Sequence, residues 1–141
     1  MIIQPYLFFE GRCEEAIAFY RQALGAQVLM LMHYGDSPDD GECADGTQPP
    51  KDKVMHATLQ IGATQVMASD GFANGKPEFR GIALSLSADD ADHAHRLFDA
   101  LCAGGQVFQP LGPTFFSPAF GMVSDRFGVS WMVVVPAASA C

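Results

Sequence analysis

Pro5 to Val28, PYLFFEGRCEEAIAFYRQALGAQV, decides the fold. It reads as a strand, a tight turn, an amphipathic helix and the entry to a second strand. Ile2 to Phe9 is an apolar and aromatic run suited to a strand covered on much of both faces. Pro5 within it fits an edge position, where a missing N–H costs nothing. Glu10 and Gly11 supply the turn, and Glu14 and Glu15 put negative charge into the first helical turn, where the helix dipole favours it. Ala16, Phe19, Tyr20, Ala23 and Leu24 fall at helical spacing and form the expected buried stripe. Gly25 is placed to end the helix.

Gln27 to Tyr34 is the second strand, rich in Val, Leu and Met. It runs into Gly35 to Lys53, a polar, acidic segment with three prolines and three glycines. That is long for a connection in a compact domain, and it is expected to act as a flap or lid. Its aspartates lack the alternating ligand positions and closing glutamate of a calcium loop. Val54 to Ile61 alternates, with Met55, Ala57, Leu59 and Ile61 on one face and His56, Thr58 and Gln60 on the other. Gly62 and Ala63 turn it into Thr64 to Ser69, closed by Asp70 and Gly71. His56 shares a polar face, with Gln65, Met67 or Ser69 as its cross-strand neighbour. An imidazole there suits proton transfer near neutrality; the competing reading is a strand histidine held by a hydrogen bond.

The plan then recurs. Arg80 to Leu86 reads as a strand, with Ser87 as N-cap and Asp90 completing a capping box variant. Ala91, Ala94, Leu97, Phe98 and Leu101 form a helical stripe that Gly104 and Gly105 end. Gln106 to Gln109 is a short strand, and Ala119 to Ser124 and Val129 to Val135 form a hairpin about the turn Asp125 to Gly128. Phe19, Gly25, Gln27 and Val28 map onto Phe98, Gly104, Gln106 and Val107 at a constant offset of 79. A weak repeat of strand, helix and three strands points to two βαβββ modules, residues 1–71 and 79–136, in one domain with a short tail, 137–141. Neither module is large enough to stand alone comfortably, and because exposed sheet edges invite pairing, side-by-side packing of the modules or a homodimer is expected.

Composition narrows the class. Of the 141 residues 49% are hydrophobic, enough for a folded interior. A net charge of −8 argues against a nucleic-acid partner. There is no signal-peptide pattern and no apolar run long enough for a bilayer, so neither export nor a membrane is expected. Cys13, Cys43, Cys102 and Cys141 show no metal or redox spacing and read as reduced thiols of a cytoplasmic protein. Cys13 lies near a helix N-terminus, where a thiolate is favoured, but no base is close in sequence. His93 and His95, two residues apart, do not share a helical face, so no metal pair is expected there.

PYLFFEGRCEEAIAFYRQALGAQV, VMHATLQIGATQVMASD and FGMVSDRFGVSWMV together resemble the PhnB-like branch of the glyoxalase/bleomycin resistance/dioxygenase fold, the vicinal oxygen chelate superfamily, over nearly the whole chain. Members of that branch are often labelled 3-demethylubiquinone-9 3-methyltransferase-like. The resemblance implies an α+β fold of two βαβββ modules forming a cup-shaped open barrel, commonly in a homodimer, with a small-molecule pocket. The metal-ligand positions of the superfamily, carried over, fall near Pro5, near Gly81 and at Met132, with Gln4 as the nearest alternative. None of the first three offers a divalent ion a side-chain ligand, so no metal is expected, and no Gly-rich cradle for a nucleotide or S-adenosylmethionine follows a strand, so no cofactor is expected either.

The expectation is thus a small-molecule pocket without the usual metal triad, in an enzyme of unknown reaction. The alternatives are a non-catalytic binder of the bleomycin-resistance type and a metal enzyme with atypical ligands. His56 is the candidate acid or base, and Tyr34, Ser69, Asp70, Asp125 and Trp131 are candidate ligand-binding residues. Asp70 and Asp125 also sit at turns, where carboxylates cap backbone N–H groups, and Trp131 is equally suited to core packing.

Overall fold

The structure, a computed structural model, describes residues 1–37, 49–73 and 75–137. The chain divides after Pro77 into two units. The first contains β1 (Tyr6–Phe8), α1 (Cys13–Leu24), β2 (Gln27–His33), a single 3-10 turn (Tyr34–Asp36), β3 (Val54–Ile61) and β4 (Thr64–Ser69). Its sheet runs β1-β4-β3-β2, with β1 parallel to β4 and the other pairs antiparallel. The second unit contains β5 (Leu84–Ser87), α2 (Ala91–Cys102), β6 (Gln106–Gly112), β7 (Phe120–Ser124) and β8 (Ser130–Val134). Its order, β5-β8-β7-β6, repeats the first, including the parallel β5–β8 pair.

In the first unit α1 packs against β3. Cys13, Ala16, Ile17, Phe19 and Tyr20 are its buried residues, while Ala23 and Leu24 are only half-buried. Leu7, Phe9, Ala57, Leu59, Val66 and Ala68 are buried as well. Phe9 and Tyr20 lie with ring centroids 6.2 Å apart. Gly25 ends α1 in the left-handed conformation, φ 68°, and the N–H groups of Gly25 and Ala26 close onto the carbonyls of Arg21 and Tyr20.

Strand β1 is shorter than the apolar run 2–9 suggests, and it is not covered on both faces. Pro5 has no N–H to give; its carbonyl accepts from Met67 N–H at 2.9 Å and pairing continues from there. Ile2 and Ile3 before it are exposed. Leu7 and Phe9 are buried, whereas Tyr6 and Phe8, at 38% and 49% exposure, lie on the face turned away from α1. In β3 the alternation slips at Met55, where the β2–β3 register shifts between the Met32–His56 and His33–Val54 pairs.

The second helix starts differently from expectation. Its N-cap is Asp90, whose Oδ1 accepts from His93 N–H at 2.7 Å, and Ser87 is the last residue of β5. The reason is strand pairing: Ser87 stands opposite Val134 in the parallel ladder, and Ala88 N–H donates to Val134 O at 2.8 Å. Strand β5 therefore begins at Leu84, leaving Gly81 outside it. Strand β6 extends past Gln109 to Gly112 through Pro110, which is tolerated because β6 is an edge strand. Ala94, Phe98 and Leu101 of α2 are buried, as are Val123, Trp131 and Val133 of the strands it packs on.

Most of the acidic segment expected as a lid, 38–48, lies outside the described residues, as do Cys43 and Cys141. Its two described ends continue the β2–β3 pairing: Tyr34 N–H donates to Lys53 O at 3.0 Å and Gly35 N–H to Lys51 O at 2.9 Å. Among the described residues no helix is long and apolar enough to cross a membrane.

Candidate functional site

The sheet face turned away from α1 in the first unit gathers the chemistry. Register places Tyr6, Met67, Thr58 and Met30 in one row across all four strands. The next row runs from Phe8 to Ser69, and His56, one step beyond the Ala57–Ala68 pair, stands level with Ser69 and opposite Met32. The Tyr6 and Phe8 rings stack at 4.9 Å, and the His56 ring lies 5.5 Å from that of Tyr6.

His56 has a partner on each ring nitrogen. Nδ1 is 2.9 Å from the Tyr6 hydroxyl and Nε2 is 3.1 Å from Thr58 Oγ1. Burial pushes the Tyr6 pKa up, against a smaller opposing effect of the Ser69 hydroxyl, so Tyr6 stays a neutral phenol. Where the phenol donates to Nδ1, the ring N–H that faces Thr58 is the one on Nε2. Tyr6, His56 and Thr58 thus form one hydrogen-bonded chain, with one aromatic side open to solvent.

Of the other sequence candidates, Tyr34 and Ser69 join this face and Asp70 supports its end. The Tyr34 hydroxyl donates to Gly71 O. Ser69 is buried, donating to Val54 O at 3.3 Å and accepting from Gly71 N–H at 2.9 Å. Asp70 is 1% exposed, and its carboxylate is used on backbone: Oδ1 accepts from Gly11 and Cys13 N–H and Oδ2 from Val54 N–H, all at 2.8 Å. It thereby caps α1, whose own N-cap residue, Arg12, makes no side-chain cap.

Asp125 and Trp131 belong to the second unit and serve its β7–β8 turn. Asp125 Oδ1 accepts from Phe127 N–H at 2.9 Å and Val129 N–H at 3.1 Å, and Oδ2 accepts from Trp131 Nε1–H at 2.9 Å. Both residues are buried, at 3% and 4% exposure. Cys13 is fully buried; burial, and after it the Asp70 and Glu14 carboxylates, push its thiol well above the ordinary range, so it is no thiolate.

Sequence reasoning missed Tyr6 and Phe8. Their signal is the alternation with buried Leu7 and Phe9, but it is invisible where four consecutive residues are all apolar or aromatic.

The superfamily's metal does not fit these residues. Pro5 contributes a carbonyl already bonded to Met67, Gly81 has no side chain, and Met132 stands in β8 between Ser85 and Met122. The Gln4 amide donates to Gln65 Oε1 at 3.4 Å. Among the described residues no three His, Cys, Asp or Glu side chains converge to hold a metal ion.

Comparison with known proteins agrees with this architecture. The 3-demethylubiquinone-9 3-methyltransferase family model matches residues 2–134. Protein YjdN of Escherichia coli K12 is 36% identical over 140 residues, 96% of this chain and 95% of that protein. Among solved structures, protein PA1353 of Pseudomonas aeruginosa is 44% identical with a TM-score of 0.82, covering 96% of this chain and 98% of its own. A PhnB protein from Bacillus cereus is 26% identical with a TM-score of 0.78, covering 96% and 99%. With two βαβββ modules of the glyoxalase fold and no evident metal-chelating triad among the described residues, the chain belongs to the 3-demethylubiquinone-9 3-methyltransferase family, the PhnB-like branch of the vicinal oxygen chelate superfamily.

Proposed function

We propose that this protein binds a small molecule with an aromatic or apolar body on the Tyr6–Phe8–His56 face, and that Tyr6 and His56 move a proton on it. The observation that carries this reading is the 2.9 Å contact between the Tyr6 hydroxyl and His56 Nδ1 on a half-exposed aromatic surface. A base held by one neighbour and oriented by another is the arrangement acid–base catalysis requires. As the Tyr6 proton passes to His56 Nδ1, the phenol oxygen takes a proton from the ligand. The imidazolium then returns a proton through the same hydroxyl to a second ligand atom. Atoms balance as a proton relocation within the ligand, and no metal is called on.

A second reading, a binder that sequesters its ligand without chemistry, is favoured by one fact: both His56 nitrogens already have partners within the protein. A fragment screen read by NMR shifts separates the possibilities in two stages. Hits should perturb Tyr6, Phe8 and His56; hits clustering elsewhere would remove the site. For a ligand that is turned over, His56→Ala and Tyr6→Phe should each lower the rate by about a hundredfold or more while changing affinity less than about threefold. Loss of affinity with no turnover to lose would establish the binder.

The same reading includes a cytoplasmic homodimer. The free thiols of Cys13 and Cys102 suit a reducing compartment. The exposed Leu29, Met30 and Leu31 of edge strand β2 suit a second copy of the chain.

A further inference from the structure

Resting on the ligand face proposed above, we infer that Glu10 supplies the negative charge that holds the cationic end of an aromatic amine there. Glu10 stands in the turn after β1 with φ 52°, a left-handed conformation that glycine or asparagine adopts more readily than glutamate. Its Oε2 is buried without a hydrogen-bond partner. A residue that is strained in its backbone and unsatisfied in its side chain is not accounted for by the stability of the turn.

The surroundings show where the carboxylate lies. A Cβ built on Gly71 would come 2.9 Å from Glu10 Oε1 and 3.4 Å from Phe8 Cδ1. Carboxylate and Phe8 ring therefore lean on the same bare Cα, and only glycine leaves room for both. Gly71 also has φ 57° and receives the Tyr34 hydroxyl on its carbonyl. The ammonium of Lys53, beside this turn, donates to Gly11 O at 3.0 Å. None of the ion pairs among the described residues includes Glu10.

An ionised carboxylate can only accept, so its complement is a donor, and a cationic donor binds it most strongly. Beside it the stacked Tyr6 and Phe8 rings offer an apolar platform that also attracts positive charge through their faces. Carboxylate and rings together select an aromatic ring bearing an ammonium group on a short arm.

Benzylammonium and benzyl alcohol, similar in shape and different in charge, test the idea by NMR titration of the intact protein. Both should shift Tyr6, Phe8 and His56, and the amine should bind about tenfold more tightly or better. Glu10→Gln should make the two affinities equal. Glu10→Asn should do the same while raising Tm by about 3 °C, because asparagine accepts the left-handed turn and the orphaned oxygen is gone. Benzyl alcohol binding as tightly as the amine to the unmodified protein would overturn the role of Glu10 and leave the ligand face standing. An amine preference that survives Glu10→Gln, or a lowered Tm in Glu10→Asn with that preference intact, would assign Glu10 to the turn alone. Failure of both probes to shift the first sheet would overturn the ligand face and the Glu10 role together.

Discussion

Asp70 shows how one buried carboxylate can be held by backbone alone. Three backbone N–H groups, from Gly11, Cys13 and Val54, surround its carboxylate at 2.8 Å. Such bonds to a charged acceptor are worth more than neutral ones, and removing an acceptor leaves buried donors unpaired. Asp70→Asn turns one oxygen into a donor that faces a donor. It should lower unfolding free energy by about 2–4 kcal/mol in denaturant melts; an undisturbed midpoint would contradict the cap. The turn position of Asp70, and a capping role for its carboxylate, were legible in the sequence. Its donors were not, because Gly11 and Cys13 lie 59 and 57 residues away and only the parallel β1–β4 pairing brings them near.

Elements were the most legible scale, and their ends the least. Helical spacing located both stripes, although Ala23, Leu24, Leu97 and Ala91 are less buried than the pattern alone suggests. Ser87 misled because it has the chemistry of a cap, while its backbone is claimed by Val134, a partner that local sequence does not reveal. The distinction is measurable: Asp90→Ala should cost about 1 kcal/mol and Ser87→Ala only a few tenths, about 0.3 kcal/mol. A second device at element scale joins β2 to α1. His33 Nε2 meets the Glu14 carboxylate, and His33 N–H donates to Asp36 Oδ2 at 3.0 Å. The bond to Glu14, ahead of a smaller opposing effect of burial, raises the His33 pKa above its ordinary 6.5. A raised folded-state pKa gives stability that is fully present below the unfolded value and is lost as pH climbs through the folded one. Stability should therefore fall from pH 6 upward, by at most about 1 kcal/mol because the pair is largely in water. His33→Gln should flatten that slope, as followed by thermal melts across the same range.

At the scale of the molecule, the duplication anticipated from an offset of 79 is visible as two sheets with one strand order. Each leaves edges, and the edges differ. In β6, Pro110 and shifts of register on both sides of Gln109 spoil the ladder as a template. In β2, Leu29, Met30 and Leu31 are exposed in sequence, and the ladder shifts register between Val28 and Met30. Leu29→Lys with Leu31→Lys should convert a dimer to a monomer in sedimentation or light scattering. A wild-type chain that already sediments as a monomer would remove the homodimer from the proposed function.

The Asp70 cap also bears on the order of events during synthesis. A growing chain exposes the whole of α1 well before residue 70 is made, so the helix starts life without the acceptor that closes its first turn. Helix nucleation is costly, and a twelve-residue helix is marginal by itself in water. The amino end of α1 thus stays frayed until β4 has docked, which makes the closing of the first unit cooperative from its last strand back to its first turn. The amides of Gly11, Cys13 and Val54 share one acceptor and should exchange with solvent as a single group, whatever their distance along the chain.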